Sequence, residues 1–148
     1  MEEVRPLRAA VLRPGQPPSA TVWPGDDDPR AGHVALRDAG SGEIVAVGSV
    51  LPEGAGWRVR GMATAPGARG RGLGARVLAE LLDHARAQGA TLVWCNARIG
   101  ALSLYERAGF GAVGEPFEEP GIGPHRRMEL ELGEPDAAQR QLGRDVGR

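Results

Sequence analysis

The 148-residue chain is long enough to bury one core and too short for two. Its 18 basic residues, every one an Arg, nearly cancel 19 acidic ones for a formal net charge of -1, which argues against nucleic acid or an anionic membrane as a partner drawn by overall charge. One cysteine, Cys95, excludes an intramolecular disulfide, and with three scattered histidines it offers no metal site. The opening Met1-Glu2-Glu3-Val4-Arg5-Pro6 has no basic segment leading into an apolar stretch, and no apolar run approaches membrane-spanning length. The expectation is a cytoplasmic protein, monomer or homodimer, with one domain over 1–133 and a polar, disordered tail over 134–148.

Val4, Leu7, Ala10 and Val11 repeat at helical spacing, with Pro6 near the start of a short helix. Pro14 to Gly32 collects prolines, glycines and three aspartates, and reads as a long loop that either walls an acceptor pocket or serves as filler. His33–Arg37 and Glu43–Leu51 form an antiparallel hairpin around Gly40-Ser41-Gly42, and a third strand runs from Trp57 to about Ala65 after the turn Gly54-Ala55-Gly56. From Leu73 to Ala87 the residues Val77, Leu78, Leu81, Leu82 and Ala85 share one helical face, and Gly89 ends the helix. Thr91–Cys95 is a buried strand, parallel to the third. Ala101, Leu104, Tyr105 and Ala108 mark another helix, stopped by Gly109, and strands follow at Phe110–Val113 and Met128–Leu132.

Between the third strand and the Leu73–Ala87 helix lies Arg69-Gly70-Arg71-Gly72-Leu73-Gly74-Ala75. The first turn of a helix has backbone N–H groups without internal partners and the positive end of the peptide dipoles, so a glycine-rich entry there suits a phosphate. Spacing separates the candidates. A P-loop needs a lysine, and the chain has none. The dinucleotide pattern Gly-x-Gly-x-x-Gly fails because Gly70, Gly72 and Gly74 alternate, and the next strand ends in Cys95-Asn96-Ala97-Arg98 without a ribose-binding carboxylate.

Arg69, Gly72 and Gly74 fit the pyrophosphate-loop pattern of the GCN5-related N-acetyltransferases. Met62-Ala63-Thr64-Ala65-Pro66 is similar to the end of that family's fourth strand, and Asn96, Ala101 and Tyr105-Glu106-Arg107-Ala108-Gly109-Phe110 resemble its second motif. The resemblance covers roughly Ile44 to Leu132. It implies an α/β fold of the acyl-CoA N-acyltransferase type, with a central mixed sheet of six to seven strands flanked by helices, antiparallel at first and parallel around the cofactor. It implies acetyl-CoA as cosubstrate and no metal. Main-chain groups of Met62, Ala63 and Thr64 would meet the pantetheine arm, Arg69 to Ala75 the pyrophosphate, and Asn96 the arm again. Tyr105 would protonate the departing thiolate, or else simply pack with Ala101, Leu104 and Ala108.

The strand Trp57-Arg58-Val59-Arg60-Gly61 carries no carboxylate where the family often keeps one. Glu53, Glu118, Glu119, His125 and a water chain all remain open as the base, while His33 and His84 read as structural or solvent-facing and Cys95 as a core residue. The expected activity is direct acetyl transfer to a primary amine of a small molecule, with peptide or protein amines and acyl groups other than acetyl left open. An acyl-CoA sensing module with little catalysis is the alternative of a different class.

Overall fold

The structure, a computed structural model, describes residues 3–12 and 23–133. The expected tail, and the first half of the proline-rich loop, lie outside the described residues. The elements are helix α1 (Arg5–Leu12), strands β1 (Gly32–Arg37), β2 (Ile44–Glu53) and β3 (Gly56–Thr64), helix α2 (Leu73–Ala87), strand β4 (Leu92–Arg98), helix α3 (Leu102–Arg107), and strands β5 (Gly111–Glu119) and β6 (Gly123–Glu131). The described strands form one six-stranded sheet in the order β1-β2-β3-β4-β6-β5, and only the β3–β4 pair is parallel. A strand, helix, strand connection through α2 accounts for that pair.

α2 supplies the main core. Its stripe Val77, Leu78, Leu81, Leu82 and Ala85 is buried against Val50, Val59, Val93 and Met128 of the sheet. Each such side chain, fully buried, stabilises by about 1.5–3 kcal/mol. α1 covers the opposite face, where Val4, Val47 and Ala63 form a smaller cluster. Both α2 and α3 end in the same device. Gly89 and Gly109 take φ of +86° and +101°, and the residue after each returns a backbone N–H to the helix, Ala90 to Ala85 at 2.9 Å and Phe110 to Tyr105 at 3.0 Å. A Cβ-bearing residue is strained at such a φ, which is why glycine occupies both stops.

Three boundaries differ from the sequence expectation. β4 continues past Asn96 to Arg98, because β6 pairs with it as far as Arg98↔His125. β5 extends to Glu119 and β6 begins at Gly123, although Gly114, Pro116, Pro120, Gly121 and Pro124 read locally as breakers. Edge position explains β5: its outer side needs no ladder partner, so Pro116 is tolerated, and the register slips between Val113 and Phe117.

Candidate active site

β3 and β4 pair only at Trp57↔Val93 and Arg58↔Trp94, and beyond that point they part. On its other side β3 carries a bulge, since Val47↔Ala63 and Ser49↔Arg60 leave one extra residue on β3. Gly61 takes φ +70° there, and a Cβ on it would meet Arg8 of α1, whereas Met62 packs with the core under α2. The bulge thus turns two successive residues, Arg60 and Gly61, toward α1 and bends the strand away from β4.

The gap is a cleft of about 470 Å³ that reaches both sides of the sheet. Met62, Ala63, Thr64, Gly74, Asn96 and Tyr105, all singled out from sequence, line it. Arg69, Gly70, Arg71, Gly72 and Leu73 do not; the first four form the exposed approach to α2, Leu73 begins the helix and packs on the core, and Ala75 faces a second groove between α2 and α3. No side chain caps α2. Its first helical bond runs from the Arg76 N–H to the Gly72 carbonyl at 3.1 Å, so the N–H groups of Leu73, Gly74 and Ala75 precede the helical ladder. Gly70 and Gly72 have φ of +81° and +73°, with open space where a Cβ would stand. The two arginines contribute less than their charge suggests: Arg69 reaches back to the Thr64 carbonyl, and Arg71 is shared between the Gly67 carbonyl and Asp38.

Tyr105 is 6% exposed and stands edge-on to Phe110, with ring centroids 5.5 Å apart. The glycine stop of α3 makes that contact, because Phe110 is the residue folded back onto the Tyr105 carbonyl. Burial raises the phenol above its ordinary pKa, which keeps it protonated throughout the physiological range. Cys95 is buried too, and burial pushes its thiol up to about 12, so it has no nucleophilic thiolate to offer a covalent route.

The carboxylate and histidine candidates divide. Glu53 is 2.9 Å from Arg58 and 3.8 Å from Arg60, and it does not line the cleft; neither does Glu118, which is exposed. Glu119 and His125 do. His125 is 7% exposed, stacks on Phe117, and places Nδ1 2.9 Å from the Gly123 carbonyl. A carbonyl only accepts, so Nδ1 donates, which in the neutral ring leaves the lone pair on Nε2.

On the α1 side the wall of the cleft contains Arg58, Arg60, Arg98 and Trp23. Trp23 belongs to the Pro14–Gly32 loop offered from sequence as a pocket wall or filler, and it takes the first of those places. The three arginines were not singled out, although the alternation of Arg58 and Arg60 across Val59 was a signal that both point to one side of β3. A buried network holds the segment around Trp23: Arg8 donates to Asp26 at 3.0 Å and to Ser49 at 2.8 Å, the Trp23 N–H donates to the same Asp26 carboxylate at 2.9 Å, and the guanidiniums of Arg8 and Arg60 each stack on the Trp23 ring at 4.2 Å. His33 completes the network, accepting from the Ser49 hydroxyl at 2.6 Å and donating to the Asp26 carbonyl at 3.0 Å.

Residues 4–110 match the model of a family described as the acetyltransferase (GNAT) family. A curated relative, the uncharacterized N-acetyltransferase YitI of Bacillus subtilis (strain 168), is 30% identical over 132 residues, covering 84% of this chain and 87% of its own. Glucosamine 6-phosphate N-acetyltransferase 1 of Oryza sativa subsp. japonica is 36% identical over 89 residues, 54% of each chain. Among solved structures, Escherichia coli ElaA superposes with a TM-score of 0.75 at 22% identity and 88% coverage of both chains.

Proposed function

The chain belongs to the acetyltransferase (GNAT) family and is an acetyl-CoA-dependent N-acetyltransferase, and from that premise we propose that acetyl transfer takes place in the cleft between β3 and β4, by direct attack of a small-molecule amine. The observation that carries the placement is the parting of the two strands immediately above the glycine-rich start of α2. In this reading the N–H groups of Leu73, Gly74 and Ala75, with Gly70, Gly72 and the flanking Arg69 and Arg71, hold the pyrophosphate. Main-chain groups of Met62, Ala63 and Thr64, and the Asn96 amide, receive the pantetheine arm where β4 would otherwise pair. A backbone N–H aimed at the thioester oxygen is worth roughly 3 kcal/mol in comparable acyl transfers.

The amine nitrogen forms its bond to the acetyl carbon as the carbon–sulfur bond breaks. His125 Nε2 takes the proton that the amine loses, directly or through a water shared with Glu119, and the Tyr105 hydroxyl gives a proton to the departing thiolate. Burial keeps the Tyr105 phenol protonated, so its proton is in place as the thiolate departs, and the phenolate left behind is reprotonated from water.

Thiol release from acetyl-CoA across an amine panel tests the activity. Tyr105→Phe should lower turnover about 10²-fold or more while acetyl-CoA affinity stays within twofold. Unchanged turnover removes Tyr105 from the chemistry, and acetyl-CoA binding with no turnover on any amine would favour a sensing module instead.

A further inference from the structure

The wall that faces α1 is cationic in a specific way. Arg58, Arg60 and Arg98 line the cleft, and Glu119 is the one carboxylate among the described lining residues. Arg58 and Arg60 share a single acid, Glu53, which approaches Arg58 at 2.9 Å and Arg60 only at 3.8 Å. Trp94 holds one guanidinium at 4.9 Å and Trp23 the other at 4.2 Å, so both planes are fixed and partly stripped of water. The Nε–H of each is buried, so a ligand in the cleft would meet their terminal nitrogens. Burial, and then the neighbouring charge of Arg58, lowers the Arg60 pKa to about 10.

We infer that Arg58 and Arg60 form an oxyanion site within the acceptor end of the cleft, and that the acceptor is a small amine carrying a carboxylate or phosphate group. The inference rests on the cleft being the acceptor site. A planar guanidinium presents its donors as a fork that matches the two oxygens of such a group. Strand geometry sets the span: at about 3.3 Å per residue, Arg60 lies roughly 7 Å and Arg58 roughly 13 Å along β3 from Met62. The anion therefore belongs several bonds from the reacting nitrogen. A polycationic amine is the wrong ligand, since its second charge would face two guanidiniums that share one carboxylate.

Two measurements test this. The first does not depend on catalysis. CoA-saturated protein is titrated with inorganic phosphate and, separately, with 6-aminohexanoate at constant ionic strength, reading the fluorescence of the tryptophans, two of which stack on these arginines. A saturable change should appear for at least one anion, weaken at least tenfold in Arg60→Gln and in Arg58→Gln, and tighten in Glu53→Gln, which removes the competing carboxylate. No saturable response to either anion, or a response in both Gln variants as strong as in the unsubstituted protein, overturns the proposal.

The second compares matched amines: glucosamine 6-phosphate against glucosamine, and 6-aminohexanoate against 1,6-diaminohexane. The anionic member of at least one pair should have the higher kcat/KM by tenfold or more, and that ratio should collapse toward one in Arg60→Gln. Which pair responds separates phosphate from carboxylate. Equal or better use of the neutral and dicationic members overturns the inference while leaving acetyl transfer intact; anion binding without acetylation of any amine supports the anion site and counts against the catalytic reading.

Discussion

Replacing Gly61 by Ala strikes the point at which the bulge, α1 and the cleft wall meet. Two costs add. Ala at φ +70° costs about 1–2 kcal/mol relative to an ordinary conformation. Its Cβ would also lie 2.6 Å from Arg8 Nε and 3.1 Å from Arg8 Cζ, so the guanidinium must move. A long side chain usually swings aside cheaply, but Arg8 is fully buried and held at both ends, by Asp26 and by Ser49. Breaking such a buried pair costs about 3–5 kcal/mol. The sum, about 4–7 kcal/mol, is a large part of a stability of roughly 5–15 kcal/mol. At about 3–4 °C per kcal/mol for a chain of this size, Tm should fall by about 12 °C or more. Gly54→Ala is the control: it has φ +67° with nothing within 4 Å of the new Cβ, so only the conformational cost remains and Tm should fall by about 4–7 °C. The pair is read by thermal and urea unfolding. Equal losses in the two variants would show that the Arg8 network is not rigid, and the account of how Trp23 is held would fail with it.

At the other end of the cleft, Gly72→Ala should cost about 1–2 kcal/mol through its φ of +73° and weaken acetyl-CoA binding by tenfold or more in calorimetry; unchanged affinity would argue against the α2 start as the phosphate site. Burial holds the His33 imidazole below its ordinary value of 6.5, so the unfolded chain takes up a proton that the folded one resists. That contribution is complete above pH 6.5 and is lost as pH falls below it, and His33→Gln should flatten the slope of urea midpoint against pH between about 6.5 and 5. A slope unchanged in the variant assigns the acid sensitivity elsewhere. Cys95, with its thiol pushed up to about 12 by burial, should not react with an aromatic disulfide reagent at pH 8 until denaturant is added, and stoichiometric labelling of the native protein would contradict its placement.

Much of this fold was legible because its strongest elements obey a single local period. The stripe Val77, Leu78, Leu81, Leu82 and Ala85 located α2 from Leu73 to Ala87, and Gly89 and Gly109 marked both helix stops. Legibility failed where long-range pairing overrides local composition. β5 and the start of β6 are strands only because each has the other beside it, across residues that favour turns. Asn96 read as a strand end for the same reason: its continuation to Arg98 is imposed by β6.

The site divided along the same line. Met62 to Thr64, Asn96 and Tyr105, which the family resemblance pointed to, all line the cleft. The Pro14–Gly32 loop could be read as a pocket wall or filler, but how Trp23 is held in it could not, because Arg8 of α1 and Ser49 of β2 share no sequence pattern with Asp26. Arg58 and Arg60 stand on β3 where the family resemblance would place a carboxylate, and both line the cleft.

The short β3–β4 register has a mechanical consequence. β4 and β6 are laced together over seven consecutive pairs, from Leu92↔Glu131 to Arg98↔His125, whereas β3 and β4 share two. The described sheet is therefore two three-stranded halves joined by a narrow hinge, with α2 seated on the β1-β2-β3 half. Any molecule that fills the gap with main-chain-like hydrogen bonds acts as mortar between the halves. Amide exchange at Gly61 to Thr64 and at Asn96 to Arg98 should slow together when CoA is added, as one cooperative unit, while the outer β1 and β5 ladders keep their rates.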